Sequence, residues 1–272
     1  MGQDAAKEEY SELPASRRER IVEFVNANGQ VTLGEIAEHF PVSVDTIRRD
    51  LGTLHQRGLV TKTRGGAMAN TSMHRPDREI RFREQLQSKE KRLIAQLVVD
   101  QIGDDAVVAL NGGSTTSAVA QAFDKHRNLT IATVNLSIPG IIPTSAVKSL
   151  YIFGGEVRFS SQVTTGYTTF PESHNEGLVH FDFAVLGVGG VNHDGFTVSN
   201  LAEAATMRHM ARCASTVIVV ADSTKIGRKQ FSLAGPISMA DVFVSDVPLP
   251  AELQRAFDAA GTRCLYPTGR TS

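Results

Sequence analysis

The chain has 272 residues, of which 41% are hydrophobic and 21% charged, so it can form one large and one small globular domain. No run approaches the roughly 18 apolar residues that a membrane-spanning helix needs, and the polar start is unlike a signal peptide. Cys213 and Cys264 are isolated and lack metal-ligand spacing. We therefore expect no metal, no cofactor and a reducing, cytoplasmic location.

The net charge of −1 conceals a basic segment. Residues 17–92 contain 15 Lys and Arg against 10 Asp and Glu, whereas residues 1–16 and the chain after Arg92 are both acidic. Because a nucleic acid is attracted to a local patch rather than to the total charge, this segment is the candidate nucleic-acid-binding region. Residues 1–13 are acidic, lack apolar periodicity and precede a helix-cap signal at Ser16. They predict a flexible extension that is dispensable for folding.

Two short helices are predicted first. Residues 17–27 carry apolar side chains on one side, namely Ile21, Phe24 and Val25, and end near Asn28-Gly29. Thr32 and Glu35 then have the spacing of a capping box. They begin a second helix with four inward-facing side chains: Leu33, Ile36, Ala37 and Phe40.

A basic third helix follows the turn at Pro41-Val42. Ser43 can cap it, and its apolar residues repeat at helical spacing: Val44, Ile47, Leu51 and Leu54. The opposite side is polar, with Asp45, Arg49, Gly52, Thr53 and Gln56, and with Arg48 on its flank. Arginine can bond guanine or clamp a phosphate, and the hydroxyls of Ser43 and Thr46 can reach the DNA backbone. The alternative is a solvated face on which Asp45 and Arg49 form an i, i+4 pair.

A β-wing is predicted after this helix. Residues 59–63 alternate weakly, and residues 64–68 supply a turn and a return strand, with Lys62 and Arg64 at the tip. Two helices, a tight turn, a basic helix and a wing are the order of a winged helix-turn-helix domain, here over residues 14–69. The candidate DNA-contacting residues are Ser43, Asp45, Thr46, Arg48, Arg49, Thr53, Lys62 and Arg64. The cations expected to displace counterions are Arg17, Arg18, Arg48, Arg49, Lys62 and Arg64.

A second domain is predicted over residues 79–272, after a polar linker at 70–78. Its first helix, from 79 to about 101, has five inward-facing positions: Leu86, Leu93, Ile94, Leu97 and Val98. Apolar runs then alternate with helical patterns. The candidate strands are 106–110, 129–134, 150–153, 183–188, 216–220 and 241–245, and the candidate helices are 114–123, 203–213 and 251–260. This alternation predicts an α/β fold with a mainly parallel, doubly wound sheet, whose ligands bind beyond the carboxyl ends of the strands.

Three of these strand ends carry groups that suit an anion. Residues 111–116, Asn-Gly-Gly-Ser-Thr-Thr, combine glycines, hydroxyls and a helix N-terminus. Gly189-Gly190 follows another strand, and residues 221–225 end in Lys225, which can meet a phosphate as a mobile point charge. The first turn is neither a Walker A motif nor a dinucleotide-binding glycine motif. Each turn alone can be a plain connection, but the three together favour a small phosphorylated ligand.

The N-terminal segment resembles the DNA-binding domain of the DeoR family of bacterial sugar-metabolism regulators. The matching residues are Arg20-Ile21, Gly29, Ile36-Ala37, Phe40, Val42-Ser43, the hexapeptide Thr-Ile-Arg-Arg-Asp-Leu at 46–51, Leu54, Gly58 and the wing residues Gly65-Gly66-Ala67. Two features depart from the family pattern. Arg64 stands where the family usually has His, and the acidic extension is one that the family mostly lacks.

The second half resembles the sensor domain of the same family, whose fold is shared with ribose-5-phosphate isomerase and glucosamine-6-phosphate deaminase. The matching positions are Asn111, Gly113-Ser114-Thr115, Gly154-Gly155, Gly166, the run at 181–190, Gly195, Glu203-Ala204, Asp222-Ser223 and Lys225. Asn111 stands where the family usually has Asp, which turns a carboxylate contact to a sugar hydroxyl into an amide contact. Ser114 replaces Thr, and the family's Thr-Asn reads Thr133-Val134-Asn135 here.

The resemblance implies a DNA-binding transcriptional regulator, expected to be a repressor of a carbohydrate catabolic operon. Its partners would be double-stranded operator DNA, a phosphorylated sugar or sugar-acid effector and further copies of itself, with no membrane. The effector-binding candidates are Asn111, Gly113, Ser114, Thr115, Gly189, Glu203, Asp222 and Lys225. An acidic tail beside the basic surface could compete with DNA, so residues 1–13 are also expected to be dispensable for operator recognition.

Two alternatives compete with this interpretation. A sugar-phosphate isomerase or deaminase with a DNA-binding module would need a base, for which the candidates are Glu203, Asp222, His193 and His209. We expect no such activity, because Asp222 is predicted to orient Lys225, Glu203 to sit at a helix start and His193 to lie in a solvated turn. A DNA-binding protein that senses nothing is disfavoured by the three strand ends.

Overall fold

A computed structural model describes residues 14–56, 59–69, 88–159, 161–165 and 179–267. The chain divides into two compact units, residues 1–75 and 76–272. The acidic extension, the linker and positions 79–87 of the predicted long helix, Leu86 among them, lie outside the described residues. No helix in the described part of the chain is long and apolar enough to cross a membrane.

Within the described residues, the first unit contains three helices and a three-stranded antiparallel sheet. The elements are α1 (Pro14–Asn28), β1 (Gln30–Thr32), α2 (Leu33–His39), α3 (Val44–Gln56), β2 (Val60–Lys62) and β3 (Gly66–Ala69), with the strands in the order β1-β3-β2. The predicted helices, turn and wing are all present, and β1 is an additional short strand. Ser16 lies inside α1, so the predicted cap there is wrong. The helix begins at Pro14, a residue suited to a first turn because it has no N–H to satisfy.

The capping box of α2 is formed as predicted. The Thr32 hydroxyl accepts from the Glu35 N–H at 3.2 Å, and the Glu35 carboxylate accepts from the Thr32 N–H at 2.7 Å. The Thr32 hydroxyl also donates to this carboxylate at 2.9 Å, and the two bonds from the Thr32 N–H and hydroxyl hold the pKa of Glu35 below its ordinary value.

The core of this unit is made by one side of each helix, with Ile21, Val25, Ile36, Phe40, Ile47, Leu51 and Leu54 buried. Val44 is 41% exposed, contrary to the prediction that it faces inward. It is the first residue of α3, and helical side chains tilt toward the N-terminus, so Val44 projects past the end of the packed surface.

The second unit is built on a seven-stranded, entirely parallel sheet. Its strands are β4 (Val107–Leu110), β5 (Leu129–Thr133), β6 (Val147–Ile152), β9 (Phe181–Gly187), β12 (Ala214–Val220), β14 (Val242–Val244) and β15 (Arg263–Leu265), in the order β15-β14-β12-β9-β4-β5-β6. The helices are α4 (Ser88–Val99), α5 (Ser114–Gln121), α6 (Leu201–Arg212) and α7 (Ala251–Ala260). All six predicted strands belong to this sheet, and β15 is an additional one. The prediction of a mainly parallel, doubly wound sheet is confirmed.

Both faces of the sheet are covered by helices. Met207 of α6 and Phe257 of α7 belong to one buried cluster, and Ile94 of α4 and Val119 of α5 belong to the other. Leu93 is 41% exposed, so its predicted inward position is wrong. The buried residues of α4 are Lys91, Ile94, Ala95, Val98 and Val99. Because the first of them is a lysine, the apolar pattern in the sequence does not show where this buried side begins.

Two small antiparallel elements complete the second unit, and neither was predicted. One is the hairpin of β7 (Glu156–Arg158) and β8 (Val163–Thr165). The other is a sheet of β10 (Gly190–Asn192), β11 (Gly195–Val198) and β13 (Ser232–Gly235). Both follow strands of the main sheet, and their first strands begin close to its carboxyl edge, where the candidate ligand site lies.

Candidate functional site

The outward surface of α3 presents two exposed arginines. Arg48 pairs with Asp45 at 3.2 Å, and the pair of Asp45 with Arg49, which was the alternative interpretation of this surface, is not formed. The Arg49 guanidinium has no partner among the described residues, and it is available to a ligand. Thr53 is half-buried, and its hydroxyl donates to the Arg49 carbonyl oxygen at 3.1 Å.

Ser43 caps α3 as predicted. Its hydroxyl accepts from the Thr46 N–H at 3.2 Å and lies 2.9 Å from the Thr46 hydroxyl. The two hydroxyls therefore already bond each other at the helix start, and each keeps some hydrogen-bonding capacity for a DNA phosphate.

The wing places Lys62 and Arg64 in exposed positions. The wing strand also contacts α3 through His55, whose Nδ1 lies 3.2 Å from the Val60 carbonyl oxygen and 3.3 Å from the Lys62 amide nitrogen. These contacts connect the wing to the C-terminal turn of α3. They therefore fix where the wing, with Lys62 and Arg64, lies relative to the outward side of α3, with Arg48 and Arg49.

Asp50 is the residue of this unit that sequence reasoning missed. It is 2% exposed and accepts from Nε of Arg17 and from Nε of Arg18, both at 2.7 Å. Arg17 is buried, so the prediction that it displaces counterions is wrong, and Arg18 is partly engaged in the same way. A signal was present in the sequence, because Asp50 is spaced three after Ile47 and four before Leu54 on the inward side of α3. The arrangement joins α1 to α3.

In the second unit, the turn after β4 leads directly into α5. Gly113 has a φ of 143°, which favours glycine, and it precedes α5 without any side-chain cap. The hydroxyls of Thr116 and Ser117 donate to the Gly113 carbonyl oxygen at 2.9 and 3.0 Å. Ser114 and Thr115 are half-buried. The first N–H groups of α5 are therefore left for an acceptor such as an anion.

Asn111 joins the ends of two strands. Its side chain donates to the Gly187 carbonyl oxygen at 2.9 Å and accepts from the Gly187 N–H at 2.8 Å. An aspartate at this position would have no N–H to donate, so the Asn that departs from the family pattern fits this two-point bond between β4 and β9. Only the remaining amide hydrogen and lone pair are left for a ligand.

The turn after β12 contains the buried carboxylate of Asp222. Asp222 accepts from the Thr224 N–H at 3.0 Å and from the Thr224 hydroxyl, which caps the single turn Ser223–Lys225. The prediction that the Asp222 carboxylate orients Lys225 is wrong. The Lys225 ammonium is half-buried and has no partner within the described ranges.

Asp246, which follows β14, is a second residue that sequence reasoning missed. It accepts from the Ser223 N–H at 2.6 Å and from the Ser223 hydroxyl at 3.0 Å. Burial raises the pKa of Asp246, and the nearby charge of Asp222 adds to the rise. An Asp just after a predicted strand was the available signal.

Glu203 lies in the first turn of α6, but the cap is Asn200, whose side chain accepts from the N–H groups of Ala202 and Glu203. The Glu203 carboxylate instead accepts from Nη1 of Arg158 at 2.8 Å.

The effector candidate Gly189 lies against Gln230, because a Cβ at Gly189 would be 2.1 Å from Oε1 of Gln230.

The two histidines named as possible bases are apart from these groups. His193 is exposed in the turn between β10 and β11, and Nε2 of His209 lies 3.8 Å from the Cys213 sulfur. In the part of the chain that the structure describes, no three His, Cys, Asp or Glu residues form a group that could hold a metal ion.

The structure thus links Asn111 to Gly187, and Asp246 to the Asp222–Lys225 turn through Ser223. It does not link Lys225 to the turn at Gly113 by any hydrogen bond between described residues. Both turns nevertheless lie at the carboxyl edge of one parallel sheet, the position at which ligands bind in this architecture.

A winged helix with exposed arginines, together with a parallel sheet that has glycine- and hydroxyl-bearing turns at its carboxyl edge, is typical of a DNA-binding protein that carries a ligand sensor. Residues 17–73 match the DeoR-like helix-turn-helix domain, and residues 86–247 match the DeoR C terminal sensor domain. The chain belongs to the DeoR family of transcriptional regulators, as its motifs indicated, and it is a regulator rather than an enzyme.

Named relatives align along most of the chain. The Glycerol-3-phosphate regulon repressor of Escherichia coli (strain K12) is 32% identical over 241 residues, 88% of this chain and 93% of the relative. The HTH-type transcriptional regulator GlpR of Haloferax volcanii is 31% identical over 260 residues, 95% of this chain and 100% of the relative. Among solved structures, a D-ribose-5-phosphate isomerase in complex with phospho-erythronic acid is 17% identical, with a TM-score of 0.36, over 51% of this chain and 54% of that one.

Proposed function

We propose that this regulator represses a carbohydrate catabolic operon and is released from its operator by a phosphorylated sugar or sugar-acid metabolite. Arg49, Arg48 and Thr53 on α3 would read or clamp the major groove, with Asp45 setting the position of Arg48. Ser43 and Thr46 would meet the DNA backbone, and Lys62 and Arg64 would bind phosphates beside it. Because one winged helix reads few base pairs, the acting form would be a dimer or a higher oligomer, in the cytoplasm where the operator is.

The observation that supports a phosphorylated effector is the start of α5, which has no side-chain cap and follows the interior strand β4. Its N–H groups and the hydroxyls of Ser114 and Thr115 offer donors to a phosphate, which the partial positive charge of a helix N-terminus favours. The glycine at 113 lets a ligand approach the backbone closely. A neutral sugar would leave these donors without a charged acceptor.

Lys225 supplies the matching cation. One strand, β9, lies between β4 and β12 in the sheet. Neighbouring strands are about 5 Å apart, so the ends of β4 and β12, which lead to Gly113 and to Lys225, are separated by about 10 Å across the sheet. Lys225 is half-buried, its ammonium has no partner among the described residues, and it can meet a phosphate held at α5. Asn111, Gly189 and Asp222, which are further effector candidates, would line the same edge and bond the sugar hydroxyls. The remaining candidate, Glu203, already pairs with Arg158 at 2.8 Å and would line the edge without binding the effector.

The relatives suggest the first compounds to test. Proteins named for the glycerol-3-phosphate regulon and for the aga operon align with this chain at 32% and 26% identity. Glycerol 3-phosphate and a panel of sugar phosphates are therefore the initial probes, each compared with its unphosphorylated form.

The test measures operator release by fluorescence anisotropy, with a duplex selected by the parent chain from a random library. Lys225→Ala should keep operator affinity and weaken effector affinity by about ten- to a hundredfold, the value of one lost charge-assisted bond. Lys229→Ala is the matched control, since Lys229 is exposed and pairs with Asp194 at 2.7 Å. Equal release by phosphorylated and unphosphorylated compounds, or a Lys225→Ala variant that responds like the parent, would contradict the proposal.

A further inference from the structure

The hairpin of β7 and β8 forms a strap, and one side of this strap is attached to the end of β5. The Thr164 N–H donates to the Val134 carbonyl oxygen at 2.9 Å, and the Leu136 N–H donates to the Gln162 carbonyl oxygen at 2.9 Å. The Thr164 hydroxyl adds a bond of 2.5 Å to the Phe153 carbonyl oxygen. These bonds tie β8 to the carboxyl edge of the main sheet.

From this attachment the strap reaches the turn that leads into α5. Val163 of β8 lies directly against Gly112, because a Cβ at Gly112 would be 2.0 Å from Cγ1 of Val163. Gly112 is therefore covered on that side by the strap. The neighbouring residues Gly113, Ser114 and Thr115 form the start of α5, the proposed phosphate site.

At its other side the strap is attached to α6. Nη1 of Arg158 donates to Oε1 of Glu203 at 2.8 Å, and the Ser161 hydroxyl lies 3.5 Å from the same oxygen. The side chains of Arg158 and Glu203 are 31% and 26% exposed, so solvent screens this ion pair less than one on the open surface. The strap thus crosses from β5, over the turn at the end of β4, to the first turn of α6.

We propose that Arg158 is a positioning residue for effector binding, because its ion pair with Glu203 holds the strap over the Gly112 turn and so sets the affinity for the phosphorylated effector. This inference rests on the proposed function for the nature of the ligand. A site that binds only with the strap in place has its apparent affinity multiplied by the fraction of molecules in that state.

The pair has a second, electrostatic consequence. Arg158 neutralises the Glu203 carboxylate in the first turn of α6, and Glu203 would otherwise add a negative charge to the edge of the sheet where an anion is to bind. Replacing Arg158 by an acid both releases the strap and leaves two carboxylates there, so the two effects weaken anion binding in the same direction.

The experiment compares four full-length chains: the parent, Arg158→Glu, the exchanged pair Arg158→Glu with Glu203→Arg, and the control Lys229→Glu, which reverses an exposed cation. Affinity for glycerol 3-phosphate, for ribose 5-phosphate and for inorganic phosphate is measured by calorimetry. Hydrogen exchange at the Thr164 and Leu136 amides reports, without any ligand, whether the strap is held. Thermal unfolding of each chain checks that the variants are folded.

Arg158→Glu should weaken phosphate-probe affinity by about tenfold or more and speed exchange at both amides, and the exchanged pair should restore both to within about threefold. Lys229→Glu should change neither. If Arg158→Glu fails to fold, Arg158→Gln takes its place, with an expected weakening of about three- to fivefold. Parent-like affinity in the folded Arg158 variant, or an exchanged pair as weak as Arg158→Glu, would overturn the positioning role.

The two proposals fail in different ways. A parent chain that binds no phosphorylated probe would reject the proposed function and with it the effector role of Arg158. Unchanged exchange at Thr164 and Leu136 in Arg158→Glu would reject the attachment of the strap by this ion pair, whatever the ligand is.

Discussion

The buried carboxylate of Asp50 makes a sharp prediction about the DNA-binding unit. Asp50→Ala removes the carboxylate that accepts one short bond from the buried Arg17 and one from Arg18. Removing one member of a buried ion pair costs about 3–5 kcal/mol. The Arg18 side chain is 29% exposed, and water can replace its half of the interaction, so we expect the lower end, about 3 kcal/mol.

Hydrogen exchange in the full-length chain measures this loss locally. A cost of about 3 kcal/mol corresponds to exchange roughly a hundred times faster at the protected amides of α1 and α3. The matched control is Asp45→Ala, on the same helix. The Asp45–Arg48 pair is 73% and 58% exposed, so that change should cost about 0.5 kcal/mol or less.

Two further variants separate the arginines. Arg17→Met should destabilise the unit more than Arg18→Met, because only Arg17 is fully buried with Asp50. Amides in the second unit should not change in any of these variants. If Asp50→Ala and Asp45→Ala speed exchange equally, the buried ion pair does not hold α1 to α3 and the reasoning is refuted.

Two other predictions concern DNA reading and pH. Arg49→Ala should cost about 1–3 kcal/mol of discrimination at one base pair. Lys62→Ala should instead weaken binding to operator and scrambled duplex alike, and it should lower the salt dependence by about one counterion. An equal loss of affinity on both duplexes for Arg49→Ala would show that Arg49 clamps a phosphate and does not read a base. Burial raises the pKa of Asp246 above its ordinary value of 3.8, so the folded chain binds the Asp246 proton more tightly than the unfolded chain does. The contribution of Asp246 to the free energy of unfolding therefore falls as the pH rises from 3.8 through the raised pKa. Unfolding free energies of the parent minus those of Asp246→Asn should show that slope, and a difference that does not change with pH would contradict it.

Local pattern was sufficient for the main helices and for six strands of the parallel sheet. The capping contacts of Thr32 with Glu35 and of Ser43 with Thr46 span three residues each, so the sequence alone predicts them. The six predicted strands were found because a parallel sheet covered on both faces requires continuous apolar runs. The short strands β7, β8, β10, β11 and β13 carry no such run, since each is stabilised by its neighbours rather than by its own apolar pattern.

The sequence by itself determined the two domain types, the order of the main helices and strands, the family and the turns at which ligands would bind, because periodicity, caps and glycine turns are local properties. Only the tertiary structure decided which charges are free. Arg17 meets Asp50 across 33 residues, and Arg158 meets Glu203 across 45. Asn111 bonds Gly187 across 76 residues because β9 lies beside β4 in the sheet. Such pairings depend on which helices and strands become neighbours in the folded chain, and the periodicity of the sequence does not contain that information.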